Sequence, residues 1–340
     1  MCDQHGPFPS AHALSELPWF EQRGGRLTLA ARDEVGPIAD VHTHLALAYV
    51  RRMRVDLFRA PRPTEHYLPM ERALDLDVYM NRNMSKGDIE RLKRDLTIAS
   101  MTSRGMRATH TVPNLTREMA EVGVAASVLL PIDFPVLSSN AESYLEVAAK
   151  SPSLPSLGSV HPYARDMAGK MRRQKAAGAR GIKFHPAVQL VAPDHERAIA
   201  LFDEAGRLDL PVLMHCGPVG IDTDGAKERC HVPRYEEALR RCRHTTFILG
   251  HSGALEFEDA LDLCRRYENA YLEISCQSLG NVCRIASEAP SERIMFGSDW
   301  PFYHQAIPLA KALIATEGKP DVRRRLLWEN AARVFRIQFA

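Results

Sequence analysis

From residue 36 onward the chain alternates short apolar runs with longer amphipathic stretches. The apolar runs fall at 38–44, 122–132, 155–161, 179–185, 211–216, 245–251, 270–276 and 294–299. Several are near-continuous and rich in Val, Ile and Leu, the composition of strands buried on both faces. Between them lie helical patterns. DIERLKRDLTIASM comes first, with Asp88 as its N-cap. AESYLEVAAK, DMAGKMRRQKAAG, DHERAIALFDEAGRL, VPRYEEALRRC, EDALDLCRRYE and GNVCRIASEA follow in turn. Eight strands alternating with helices predict an α/β fold, a (β/α)8 TIM barrel rather than an open doubly wound sheet. No GxGxxG or GxxxxGKS/T loop follows any of these runs, which argues further against an open nucleotide-binding sheet.

Two segments depart from a minimal barrel. Residues 1–35 read as an N-terminal extension, irregular by its Pro, Gly and polar content, ahead of a barrel domain over 36–340. Residues 46–85 form a long insertion after the first strand, on the face where barrel enzymes build their sites. Its apolar and aromatic residues (Phe58, Tyr67, Leu68, Met70, Tyr79) predict an ordered, lid-like cover. The chain closes with a helix, DVRRRLLWENAARVF, whose Trp328 and Phe335 read as core. No internal repeat or low-complexity tract is present.

Composition narrows the partners. With 44 basic and 42 acidic residues the net charge is +2, which gives no electrostatic case for nucleic acid or an anionic membrane. Basic clusters such as Arg323, Arg324 and Arg325 read as solvated surface. The N-terminus lacks a secretory pattern, and no run approaches the roughly 20 apolar residues of a membrane span. Seven cysteines without CxxC spacing predict reduced thiols and a cytoplasmic protein.

The apolar runs end in polar residues that a packed core does not need. His42 and His44, two apart on one strand, share a face. His215 ends the fifth run and Asp299 the eighth, next to the first in a closed barrel. Three imidazoles and one carboxylate suit Zn²⁺ or another borderline divalent ion, with a position left for water. His251 ends the sixth run and Lys183 lies in the fourth.

These runs resemble the metal-dependent amidohydrolase superfamily over residues 38–335, through DVHTH, GIKFHP, MHCG, LGHSG and FGSDWP. The terminal ENAARVF is similar to the closing helix of the amidohydrolase 2 branch, which includes aminocarboxymuconate semialdehyde decarboxylase. The resemblance implies that His42, His44, His215 and Asp299 bind metal. His251 would be a catalytic imidazole in one-metal members or a second-metal ligand in two-metal members; one metal per chain is favoured. Lys183 would be carboxylated and bridge two metals, or remain an ammonium that pairs with Asp299 or a substrate carboxylate. His185 shares its face, and Asp40 orients a ligand. His161 and Arg165 are candidates for holding a substrate carboxylate. Trp300 and Tyr303 either line the pocket or pack; His110, His231, His244 and His304 read as ordinary surface or loop histidines.

The implied reaction is hydrolysis of a small amide, lactone or ester-like substrate, with Asp299 as general base and then acid. In it His251 and the metal stabilise the oxyanion. Non-oxidative decarboxylation of an unsaturated or aromatic acid on the same scaffold is the alternative. A non-catalytic metal-binding barrel is a third reading. Relatives in this superfamily are commonly dimeric, so a homodimer is expected.

Overall fold

A computed structural model describes residues 5–49, 51–134 and 137–338. Strands β1 (Phe20–Arg23) and β2 (Arg26–Leu29) form an antiparallel hairpin ahead of the barrel. Gly24 and Gly25 turn it with positive φ at both positions, a conformation that favours glycine. The described part of the extension, expected to be irregular, therefore contains regular structure. Leu27 and Leu29 alternate inward, and Phe8 exchanges backbone hydrogen bonds with Leu74 of the insertion.

Seven parallel strands follow: β3 (Ile38–Thr43), β4 (Val124–Leu129), β5 (Ile182–Phe184), β6 (Val212–His215), β7 (Phe247–Gly250), β8 (Ala270–Glu273) and β9 (Ile294–Met295). The segment 155–161 fills the gap between β4 and β5 through single bridges, Leu129 to Ser156 and Gly158 to Ile182. The ring closes where Thr43 bridges Trp300 and the Asp299 amide donates to the His42 carbonyl at 2.8 Å. All eight expected strand positions are thus present, in barrel order. The ladders are shorter than the apolar runs because the C-terminal residues of each run leave the sheet to form the barrel mouth.

Leu213, Ile248, Tyr271 and Met295 pack with Ala39, Val41 and Val128 in a layer below that mouth. Leu213 stands two residues before His215 and Tyr271 two before Glu273, so each pair shares a face. Ala331 and Phe335 of the last helix join this cluster, with Trp328 against it, as expected for core residues. That closing segment runs as Pro320–Arg324, a π-helical stretch Arg325–Glu329, and Asn330–Phe335.

The helix Lys86–Leu96 starts at Ser85, not Asp88: Ser85 Oγ accepts from the Asp88 amide, while Asp88 accepts in return from Ser85, a capping box. Helices Val112–Val122, Asp224–Cys230 and Ala306–Ala315 stand where the pattern gave no prediction. Ala306–Ala315 is buried on every side, so its sequence shows no helical period. Among the described residues no helix is long and apolar enough to cross a membrane.

The insertion is irregular but packed, burying Tyr67, Leu68, Leu74, Leu76, Tyr79 and Met80; Phe58 is exposed. Backbone hydrogen bonds fasten it to the mouth, from Leu68 to Phe302 (2.9 Å), Met80 to Cys276 (2.9 Å) and Leu279 to Leu76 (2.7 Å). Cys216, Cys230, Cys242, Cys264 and Cys276 are free and buried. Cys283 is disulfide-bonded, which departs from the expectation of reduced thiols throughout.

Candidate metal centre

His42 and His44 leave β3 with their rings 5.2 Å apart, and Asp299 reaches both. Asp299 Oδ1 lies 3.6 Å from His42 Nε2 and 3.5 Å from His44 Nε2. The opposite nitrogens are engaged: His42 Nδ1 donates to Glu273 Oε2 at 2.7 Å and His44 Nδ1 to the Leu130 carbonyl at 2.8 Å. With Nδ1 so engaged, Nε2 of each ring is the atom turned towards the carboxylate. Three acceptors converge in a buried site, with Lys183 Nζ 3.4 Å from His42 Nε2, and a cation held among them relieves their mutual repulsion. Two donor atoms about 2.0–2.3 Å from one tetrahedral ion stand roughly 3.3–3.6 Å apart, so the spacing fits such an ion.

Burial, with Lys183 and the neighbouring imidazoles, pushes the His42 pKa well below its ordinary value. Burial and Lys183 likewise press His215 down to about 3, and His251 is lowered by burial and His215. These rings are neutral near pH 7, the form that binds metal. Lys183 Nζ is 3.4 Å from His42 Nε2; burial lowers its pKa to about 8, against the attraction of Asp299 and Glu273.

Glu273, at the end of β8, is the residue the sequence reading missed. Its carboxylate accepts from His42, from the His251 amide (3.1 Å), and from the amide and hydroxyl of Ser275. Burial raises its pKa to about 7. A lone carboxylate in the apolar run AYLEIS was the available signal. The glycines of two motifs make room for this pair. A Cβ at Gly297 would lie 2.1 Å from Glu273 Oε1 and 2.9 Å from His42 Cβ; one at Gly250 would lie 2.5 Å from the Met214 carbonyl.

His251 stacks near His42 with ring centroids 4.6 Å apart. Ser275 Oγ donates to Glu273 at 2.8 Å and so accepts from His251 Nδ1 at 2.7 Å. His251 Nε2 then carries a lone pair. In that tautomer the free nitrogen of the ring is an acceptor, whereas the expected contact with an oxyanion would need it to carry a proton. His251, Cys276 and Asp299 all adopt positive φ (56°, 64° and 62°), a strained conformation for side-chain-bearing residues costing of order 1–3 kcal/mol each.

The other expected residues divide. His215 lines the same cavity but belongs to none of the tight ligand groups among the described residues; it stacks on His185 at 4.1 Å and meets His251 at 4.9 Å. His185 also lines the cavity, its Nδ1 buried without a partner. Asp40 accepts from the His42 and Ser298 amides and from Gln305. His161 and Arg165 do not reach the centre. The third segment leaves its neighbours after Gly158, so both residues border a separate cleft, with His161 held by the Gln189 carbonyl at 2.8 Å. Trp300 packs, donating to Glu118, whereas Tyr303 lines the cavity. His110 and His304 are buried rather than superficial; His231 and His244 are partly exposed.

The cavity measures about 200 Å³, with Leu47, Leu92, Leu96, Ile132, Val188 and Phe302 among its apolar walls. Tyr79 and Asn81 of the insertion cover it. Asn81 donates to the Val219 carbonyl at 2.9 Å and accepts from the Tyr303 hydroxyl.

No curated protein sequence matches the chain. Among solved structures, an uncharacterised TIM-barrel protein from Bordetella bronchiseptica superposes with a TM-score of 0.61 at 18% identity, over 88% of this chain and 99% of that one. A probable 2-pyrone-4,6-dicarboxylic acid hydrolase from Acinetobacter baumannii gives 0.54 at 13% identity, over 88% and 98%. A 5-carboxyvanillate decarboxylase from Sphingomonas paucimobilis gives 0.54 at 17% identity, over 68% and 85%. At these identities the likeness establishes the barrel fold. The family model described as "Amidohydrolase" matches residues 39–337, and so the chain belongs to the amidohydrolase family of metal-dependent enzymes.

Proposed function

We propose that the protein is a metal-dependent hydrolase of a small amide, lactone or related ester-like molecule. The observation that carries this reading is Asp299 facing Nε2 of two imidazoles at 3.5–3.6 Å, with a second base, His251, beside them. When bound, a divalent ion (Zn²⁺ by the donor set, one per chain) supplies Lewis-acid polarisation and makes water acidic enough to react near neutral pH. Asp299 accepts the proton of the attacking water and returns it to the leaving group. His251, held through Nδ1 by Ser275, offers Nε2 as a second acceptor. The Lys183 ammonium faces the charge that develops on the substrate carbonyl oxygen. His215 and His185 form the adjoining wall, within reach of the substrate or as further ligands.

A second reading is non-oxidative decarboxylation of an unsaturated or aromatic acid. The small apolar cavity favours it, with Lys183 the one lysine or arginine among its described lining residues, matched to a single carboxylate. The named hydrolase and decarboxylase of this fold allow both chemistries. The reading takes a small molecule as substrate, involves no nucleic acid or membrane, and includes a homodimer in a cytoplasmic setting. Five free, buried thiols support that setting, and the Cys283 disulfide counts against it.

The test is turnover of metal-reconstituted protein on lactones, amides, hydroxybenzoates and muconate-type acids, reading released acid and carbon dioxide separately. Hydrolysis without carbon dioxide, lost in Asp299→Asn while the metal is retained, is the expected result. Carbon dioxide release without hydrolysis overturns it in favour of the second reading.

A further inference from the structure

Asp299 presents its two oxygens to different neighbours. Oδ1 faces His42 and His44, whereas Oδ2 accepts from the Cys276 thiol at 3.3 Å. His251, Cys276 and Asp299 form a second group whose ligand atoms lie within 4.8 Å of one another, all buried. Among the described residues no other cysteine enters such a group. We propose that this group is a second metal subsite, selective for thiophilic divalent ions, and that its occupancy inhibits the enzyme. The inference rests on the metal-dependent reading above.

The geometry and the donor types both support it. The 3.3 Å between Cys276 Sγ and Asp299 Oδ2 is that of a thiol hydrogen bond, a few tenths of an ångström short of the roughly 3.5–3.7 Å that a sulfur and an oxygen span around one tetrahedral Zn²⁺, so a small outward shift of either admits the ion. All three residues are held in left-handed backbone conformations, which bring three different strand ends to one point. A thiolate joined to imidazole and carboxylate favours Zn²⁺ or Cd²⁺ over Mn²⁺ or Mg²⁺. On ligation the thiol proton leaves to solvent and Asp299 bridges two ions, one through each oxygen. Asp299 and His251 are then both engaged as ligands, and neither is free to accept a proton from water. The catalytic state therefore holds one ion, and excess of a soft ion shuts it down.

Cobalt(II) titration of the metal-free full-length protein reads the two sites separately, through ligand-field bands and a near-ultraviolet thiolate-to-cobalt charge-transfer band. The first equivalent is expected to give ligand-field bands alone, and the second to add the charge-transfer band. Cys276→Ser should remove that band and weaken the second equivalent by at least about tenfold while keeping the first. Cys264→Ser, a buried thiol far along β8's preceding helix, should keep both. With excess Zn²⁺ or Cd²⁺, wild-type turnover should fall relative to its own one-equivalent value, and that of Cys276→Ser should not. A charge-transfer band that survives in Cys276→Ser, or one complete at the first equivalent, overturns the proposal. So does a wild-type protein that binds one equivalent and no second, which leaves the primary centre standing. Failure to bind even the first equivalent overturns the metal-dependent reading as well.

Discussion

Glu273 accepts the Nδ1 proton of His42 at 2.7 Å across 231 residues of sequence, and by doing so decides which nitrogen of His42 faces the centre. A carboxylate behind a ligating imidazole fixes its tautomer and raises its basicity. Glu273→Gln keeps the shape but weakens that control. The affinity for one equivalent of Zn²⁺ is expected to fall about 10- to 100-fold, measured by chelator competition. Unchanged affinity would show that the ring is set by other contacts.

Gly297 leaves no room for a side chain, since its Cβ would meet Glu273 Oε1 at 2.1 Å and His42 Cβ at 2.9 Å. Gly297→Ala should push these two apart and lose metal in purified protein, with a fall in stability of about 1–3 kcal/mol from overpacking. Metal content and thermal unfolding check the two parts independently. Full metal content in a folded Gly297→Ala protein would contradict the role given to the pair.

Ser275 links Glu273 to His251 through its hydroxyl. Ser275→Ala frees the imidazole to rotate and to change tautomer. The expected effect is a drop in kcat of about 10- to 100-fold with KM nearly constant, because the ring acts in the transition state rather than in binding. A change confined to KM would assign His251 to substrate binding instead.

Glu118 anchors the loop that carries Asp299. Its carboxylate accepts from Trp300 Nε1 (3.1 Å), the Gln305 amide (2.7 Å) and His66 Nε2 (2.8 Å). Burial opposes its charge, yet His304, His66 and these hydrogen bonds hold its pKa down at about 2. A carboxylate depressed on folding stabilises fully above its unfolded value near 4.5, and that stability is lost as pH falls towards 2. Glu118→Gln should cost about 2–3 kcal/mol at pH 7, and the gap from wild type should close between pH 4.5 and 2 in denaturant titrations. A gap constant across that window would mean that the charge of Glu118 carries none of the effect.

The polar ends of the strands were legible in the sequence because they are local features. An apolar run of strand length that stops at a histidine, lysine or aspartate marks its own terminus, and a spacing of two puts His42 and His44 on one face whatever the rest of the chain does. Barrel class followed from alternation in the same way. The hairpin was equally legible, in Gly24–Gly25 between alternating residues, although the Pro and Gly content of 1–35 suggests irregular structure.

What tertiary structure alone decided is which strand ends meet. Barrel closure brings Asp299 against His42 and His44, and sets His215 back against His185. The early departure of the third segment from its ladders sends His161 and Arg165 to another cleft. Glu273, which sets the His42 tautomer, is 231 positions away, and Ser275, which holds His251, is 24 positions away at another strand end, so neither the tautomer of His42 nor the direction of the His251 lone pair can be read locally. Glu273, Ser275 and Cys276 gain their meaning only there, because a hydrogen bond depends on distance in space and the sequence records only distance along the chain.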